Sequence, residues 1–262
     1  MNEPLRISVA PNGARRSKQD HPAIPLTPTE LAIEAEQCAD AGAVLLHLHV
    51  RDSNGKHTLS PDSYRYALDA IRNRVGSRLL LQITTESVGM FDIRTQMDTV
   101  LAVRPPAASF AIRELIPDGA AEPQARDFFA TVAAIGTVPQ FILYHPDEID
   151  RLRALQASGV IPFKNADVLF VLGRYTDNHH PGATALVPFL SRWGNDPAWT
   201  VCAFGAGELA IAAAAIGLGG HIRVGFENNL QRPDGSILSG NAEQVAAVAA
   251  LARTVGRALA TA

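Results

Sequence analysis

The sequence has no run approaching the roughly 18 uninterrupted apolar residues that a membrane-spanning helix needs. Its longest apolar stretch, 209–220, is Ala- and Gly-rich and shorter than that. It has no strong charge of one sign. Its 23 basic and 26 acidic residues leave a net charge of −3, which argues against a dedicated nucleic-acid binder. Cysteine is scarce. Cys38 and Cys202 are the only two in 262 residues, too few for a disulfide-rich secreted scaffold. Each sits in an apolar stretch and reads as a small buried hydrophobe. The opening MNEPLRISVA lacks the apolar core of a signal peptide. These absences leave the expectation of a soluble cytoplasmic protein that binds neither nucleic acid nor membrane.

What is present is a rhythm. Short β-branched or Leu-rich runs alternate with longer amphipathic or Ala-rich ones. Strands are expected at 6–10, 43–50, 78–84, 107–112, 140–144, 168–172, 200–203 and 221–224. Helices are expected near 28–41, 61–74, 92–103, 122–135, 146–157, 183–192, 206–217 and 241–260. Thr27-Pro28-Thr29-Glu30 reads as a capping box with Pro at the first helical position. Ser60-Pro61-Asp62 repeats the cap-then-Pro pattern, and Gly42 suits a helix C-cap. Eight strands alternating with eight helices predict an α/β protein, a (β/α)8 TIM barrel. A doubly wound open sheet is the runner-up. No composition shift marks a boundary, so residues 1–262 read as a single domain. Residues 173–182 read as a loop, and the His179-His180 pair in it as solvated or lining a substrate channel.

The sharpest chemical feature is Leu45-Leu46-His47-Leu48-His49-Val50-Arg51-Asp52. Alternate side chains on a strand share a face. His47, His49 and Arg51 are therefore expected to point into the barrel and climb toward its C-terminal rim. Two imidazoles two residues apart suit one metal ion; a hydrogen-bonded pair of core histidines is the plainer reading. The last strand ends in Arg223-Val224-Gly225-Phe226-Glu227-Asn228-Asn229. Glu227 is a candidate third ligand and Arg223 a candidate anion holder; a surface ion pair between them is equally open. Thr84 and Thr85 close the third strand, as substrate binders or as caps. Asn12, Arg15 and Arg16 follow the first strand, at the same rim or in an ordinary loop. Phe204-Gly205-Ala206-Gly207-Glu208 reads as a tight turn, although a phosphate could sit at such a helix start.

These residues resemble the β-keto acid cleavage enzymes, of which 3-keto-5-aminohexanoate cleavage enzyme is the best-known type. The resemblance rests on His-Leu-His-Val-Arg-Asp at 47–52 and Gly-Gly-His-Ile-Arg-Val-Gly-Phe-Glu-Asn-Asn at 219–229. It extends through Pro25–Glu30, Glu34–Arg51, Gln82–Thr85, Phe170–Gly173 and Ser239–Glu243. It implies a TIM barrel, a homotetramer and one zinc ion per chain held by His47, His49 and Glu227. It implies a catalytic role for Arg223 and Thr84, and substrate contacts for Asn12, Arg15, Thr85 and Asn228. The implied reaction joins a β-keto acid to acetyl-CoA as co-substrate and yields acetoacetate and a new acyl-CoA.

The chain departs from the family pattern at several positions. Asn228 follows Glu227 where the family often has Asp. Arg15 replaces a Glu in the first rim loop, and Ile142 replaces an acid on the fifth strand. Ala111-Ile112-Arg113-Glu114 replaces an Asn-Ala-Gly-Thr motif. Loss of acids from the pocket suggests a substrate tail that is neutral or anionic rather than an ammonium. Two rivals follow: another divalent-metal barrel lyase or hydrolase, and a metabolite-binding homologue without turnover.

Overall fold

The computed structural model describes residues 3–175, 181–194 and 198–261; His179 and His180 lie outside the described residues. Eight parallel strands close into a barrel, and each is followed by a helix. The strands are β1 (Ile7–Val9), β2 (Leu45–Leu48), β3 (Leu80–Ile83), β4 (Ala107–Ala111), β5 (Val138–Leu143), β6 (Asp167–Leu172), β7 (Trp199–Ala203) and β8 (His221–Val224). The principal helices are α1 (Pro28–Ala41), α2 (Pro61–Val75), α3 (Ile93–Val103), α4 (Glu122–Ala134), α5 (Glu148–Ala157), α6 (Val187–Trp193), α7 (Glu208–Gly217) and α8 (Asn241–Thr254). β8 pairs with β1 through Ile7 and Ile222, and β1 pairs with β2 through Ser8 and Leu45, which closes the ring. The closed barrel, rather than the open sheet, is the fold.

The two-residue period sorts side chains between two environments. Leu46, Leu48, Leu81, Ile83, Phe110, Phe141, Phe170, Val201 and Val224 point outward into the core beneath the helices. The alternating residues face the barrel axis. On the β2–β3 side these are His47 and Gln82; on the far side Ala111, Ile142, Val171 and Cys202 form a separate small apolar cluster. Toward the C-terminal rim the interior is therefore polar on one side and apolar on the other, while one layer below Gln140 and Thr200 make the far side polar as well.

Helix ends follow local chemistry. Thr27 Oγ1 accepts from Glu30 N at 3.2 Å, and Glu30 returns a carboxylate oxygen to Thr27 N at 2.9 Å, completing the capping box. Gly42, at φ +113°, closes α1. Two expectations shift. β2 leaves the barrel after Leu48, because Val50–Arg51 pairs antiparallel with His57–Thr58 in a small ribbon. α8 stops at Thr254 rather than near 260. Beyond it the chain passes Gly256 at φ +74° and runs back beside the start of β1, where Leu5 N donates to Ala258 O and Ala260 N to Leu5 O.

One glycine fixes the loop after β8. Gly225 has φ +138°, and a Cβ there would lie 2.3 Å from Ala10 O. Both the backbone region and the space exclude a side chain. Gly225→Ala is expected to destabilise the protein by more than about 1 kcal/mol, read as a lower denaturation midpoint at unchanged slope.

Candidate metal centre

His47, His49 and Glu227 converge at the C-terminal end of the barrel, all buried, with one ligand atom of each within 4.8 Å of the others. His49 Nε2 lies 3.2 Å and His47 Nε2 3.6 Å from Glu227 Oε2, and the two Nε2 atoms are 3.2 Å apart. Burial drives the His47 pKa down to about 4 and that of His49 to about 3. Both rings are thus neutral near pH 7, the form that binds a metal. Burial would raise the Glu227 carboxyl, but Arg223 and the two imidazoles outweigh it and hold the group well below the carboxylate range. Its Oε2 is buried and, apart from His49 Nε2 3.2 Å away, has no hydrogen-bond partner among the described residues. A buried carboxylate oxygen without a donor is costly. Two neutral imidazoles and one such oxygen, aimed at a common point, fit a divalent cation.

A polar chain beneath the centre orients one candidate ligand. Asp167 accepts from Gln140 Nε2 at 3.0 Å, and Gln140 Oε1 accepts from Gln82 Nε2 at 3.3 Å. Gln82 therefore turns its Oε1 to His47 Nδ1, 2.8 Å away. Because that oxygen only accepts, His47 carries its proton on Nδ1 and presents a bare Nε2 to the centre. Arg6, 3.3 Å from Asp167, anchors the far end. Such partners behind a ligand typically govern affinity by roughly 10–100-fold. Gln82→Leu is expected to weaken metal binding by that factor while the metal-free protein keeps its fold, measured by competition with a chromophoric chelator.

Asn12 holds the other histidine. It is fully buried; its Nδ2 donates to His49 O at 2.9 Å and Pro25 O at 3.0 Å, and its Oδ1 accepts from His49 N at 3.3 Å. It does not line the cleft. Arg51 likewise differs from its expected inward position. The ribbon turns it toward the loop after β1, where it donates to the carbonyls of Gly13 and Arg16. Gly13 itself, at φ +62°, packs where a Cβ would come within 2.6 Å of Glu227 Cγ.

Arg223 lies within the barrel and donates to Glu227 Oε1 at 2.9 Å and Asn228 Oδ1 at 3.1 Å. This is a buried pair rather than a surface one. Burial opposes the guanidinium charge, but Cys202 and Glu227 outweigh it and raise the pKa further. The Arg223 Nε is buried and has no partner among the described residues. Thr84 Oγ1 accepts from Glu86 N at 2.9 Å, which leaves its hydroxyl proton to donate elsewhere. Thr85 instead donates its proton to Ser109 O at 2.9 Å.

These groups line a cleft of about 450 Å³, together with Arg15, Glu86, Arg113, Glu114 and Tyr144, a volume typical of small-molecule sites. Asn228 lines an adjoining, smaller hollow. The cleft is not stripped of acids. Glu86 lies 3.9 Å from His49 Nε2, and burial, then Glu227 and Glu114, raise it to about 7. Sequence alone gives neither acid a role, because the segments after β3 and β4 that bring them to one wall, one of them a short helix at Ile112–Leu115, have no periodic signature. Glu208 is given none either. It is buried under the loop after β8, binds Gln244 at 2.7 Å and Asn229 at 3.3 Å, and is pushed up by burial to about 8. The Gly205–Glu208 segment is thus a turn that clasps this loop, with Gly205 N donating to Asn228 O at 3.1 Å.

Known proteins resemble this chain along nearly its whole length. Residues 4–262 match the family model described as beta-keto acid cleavage enzyme. The chain is 32% identical to a 3-keto-5-aminohexanoate cleavage enzyme of Fusobacterium nucleatum, over 100% of this chain and 96% of that protein. It is 30% identical to a 3-oxoadipate:acetyl-CoA acetyltransferase of Cupriavidus necator, over 100% and 93%. Among solved structures, a complex of ObcA with oxaloacetate superposes with a TM-score of 0.72 at 18% identity, covering 92% of this chain and 66% of that one. At that identity the likeness speaks to the barrel alone.

Proposed function

Because the chain belongs to the beta-keto acid cleavage enzyme family, we propose that it is a zinc-dependent enzyme that exchanges acyl groups between a β-keto acid and acetyl-CoA. The observation that carries this reading is the buried His47–His49–Glu227 centre at the floor of a cleft that also presents the Arg223 guanidinium. The relatives' names support the co-substrate, since they pair keto acids with acetyl-CoA. In the reaction, the C2–C3 bond of the β-keto acid breaks. The thioester bond between the acetyl carbon and the coenzyme sulfur breaks too; C2 joins the acetyl carbon and the sulfur joins C3. The proton lost from C2 returns in the product, so R–CO–CH2–COO⁻ and acetyl-CoA give R–CO–SCoA and acetoacetate.

A zinc ion held by His47, His49 and Glu227 would supply Lewis acidity toward the keto and carboxylate oxygens. The chain's own groups do the rest. Arg223, pinned by Glu227 and Asn228, brings its guanidinium to the cleft, beside oxygens that gain negative charge. The Thr84 hydroxyl donates to a substrate oxygen. Thr85 shapes the wall beside it, while Asn12 holds His49 in place. Asn228 borders the adjoining hollow and keeps Arg223 aimed. Arg15, at the mouth over Tyr175 at 5.8 Å, repels a cationic tail. A single barrel domain assembled as a homotetramer completes the proposal.

The test is a panel of β-keto acids with acetyl-CoA carrying carbon-13 in its acetyl group. Label is expected in acetoacetate, with an unlabelled new acyl-CoA formed in equal amount. Free acid without a new thioester would favour a hydrolase or lyase; binding without any product would favour a metabolite-binding homologue.

A further inference from the structure

We infer that the substrate is a β-keto acid whose tail ends in a second carboxylate, held by Arg113. The inference rests on the acyl-exchange reading above and names its substrate class. The Arg113 guanidinium lies over the Tyr144 ring, 3.5 Å from its centroid, and both line the cleft. Stacking occupies the face of the guanidinium and leaves its in-plane N–H groups free, the fork that matches a carboxylate. Among the described residues, no carboxylate forms an ion pair with it. Glu114, next in the chain, lines the same cleft, forms no ion pair with Arg113 and accepts from Ser87 N at 3.1 Å.

The topology gives the length and polarity of the ligand. The metal ligands come from the ends of β2 and β8, while Arg113 and Tyr144 follow β4 and β5 on the opposite side. Between them the cleft is floored by Ala111, Ile142 and Val171. A molecule spanning the cleft therefore meets the metal centre beside Arg223, an apolar stretch and the Arg113 guanidinium in turn, with Glu86 and Glu114 on the wall beside that path. A β-keto acid with methylene groups before a terminal carboxylate has that order: oxygens, hydrocarbon, anion. A hydrocarbon tail would leave Arg113 without a partner, and an ammonium tail would face its charge.

Two measurements test this with 3-oxoadipate (tail carboxylate), 3-oxohexanoate (neutral, same carbon count) and 3-keto-5-aminohexanoate (ammonium). The first is binding to zinc-loaded protein without acetyl-CoA, which needs no turnover. 3-Oxoadipate is expected to bind roughly 10–100-fold tighter than the other two. Arg113→Gln is expected to erase that margin while leaving the affinity for 3-oxohexanoate within about twofold, which also shows the variant to be folded. The second is turnover with acetyl-CoA, where Arg113→Gln is expected to lower kcat/KM for 3-oxoadipate by the same factor and to leave the KM for acetyl-CoA unchanged. Equal binding of the three, or preference for the ammonium, overturns the inference. A raised KM for acetyl-CoA with unchanged 3-oxoadipate binding reassigns Arg113 to a coenzyme phosphate and also overturns it. If 3-oxoadipate binds as expected but no β-keto acid is cleaved, the acyl-exchange reading fails and the carboxylate subsite stands.

Discussion

Glu227→Ala is expected to remove the metal and the activity together. Its carboxylate supplies one of three converging ligand atoms, and its Oε2 has no other partner. Metal content should fall from near one ion per chain to near zero. kcat/KM should fall by more than the roughly 10–100-fold typical of partners behind a ligand. The same substitution leaves Arg223 buried without its ion pair, a defect that costs about 3–5 kcal/mol in comparable cases. Loss of fold must therefore be separated from loss of metal. His47→Ala does so, because it removes a neutral ligand and strands no charge. Elemental analysis and circular dichroism of both variants decide the matter. Full metal occupancy in either would contradict the centre.

Arg223→Lys is expected to lower kcat by about 10²–10³-fold with a smaller effect on KM, the behaviour of a donor that acts on developing charge. Lysine keeps the positive charge but loses the planar guanidinium, one of whose terminal nitrogens donates to both Glu227 and Asn228. It also cannot offer an N–H from the position of the buried, unpartnered Nε. Metal content is expected to survive, since His47, His49 and Glu227 remain. Steady-state kinetics at saturating acetyl-CoA, with metal analysis on the same samples, separates this outcome from a collapsed centre. An unchanged kcat would show that Arg223 serves only to hold Glu227.

The barrel and its centre were legible in the sequence for different reasons. Caps such as Thr27 and Gly42 act locally, so they announce helix ends to within a residue. The inward direction of His47 follows from strand alternation alone. The candidate third ligand required more: Glu227 lies 180 positions from His47, so the polar cluster ending the last strand made it a candidate, and the motif-level resemblance assigned it to the same centre. Arg51 shows where alternation fails. It assumes that the strand continues, whereas the 50–58 ribbon leaves the barrel and carries Arg51 to the loop carbonyls. Asn12, Gln82, Gln140 and Asp167 belong to four strands or their loops. No spacing within one segment could have joined them. The stack of Arg113 on Tyr144 was hidden for the same reason, since the two residues meet only across neighbouring strands.

The most direct test of the account is to strip the protein with a chelator, return zinc in measured amounts and follow acyl-CoA formation from acetyl-CoA and a β-keto acid. The account predicts no product from the stripped protein and a linear return of activity that saturates near one zinc per chain. Undiminished acyl-CoA formation without metal would contradict it.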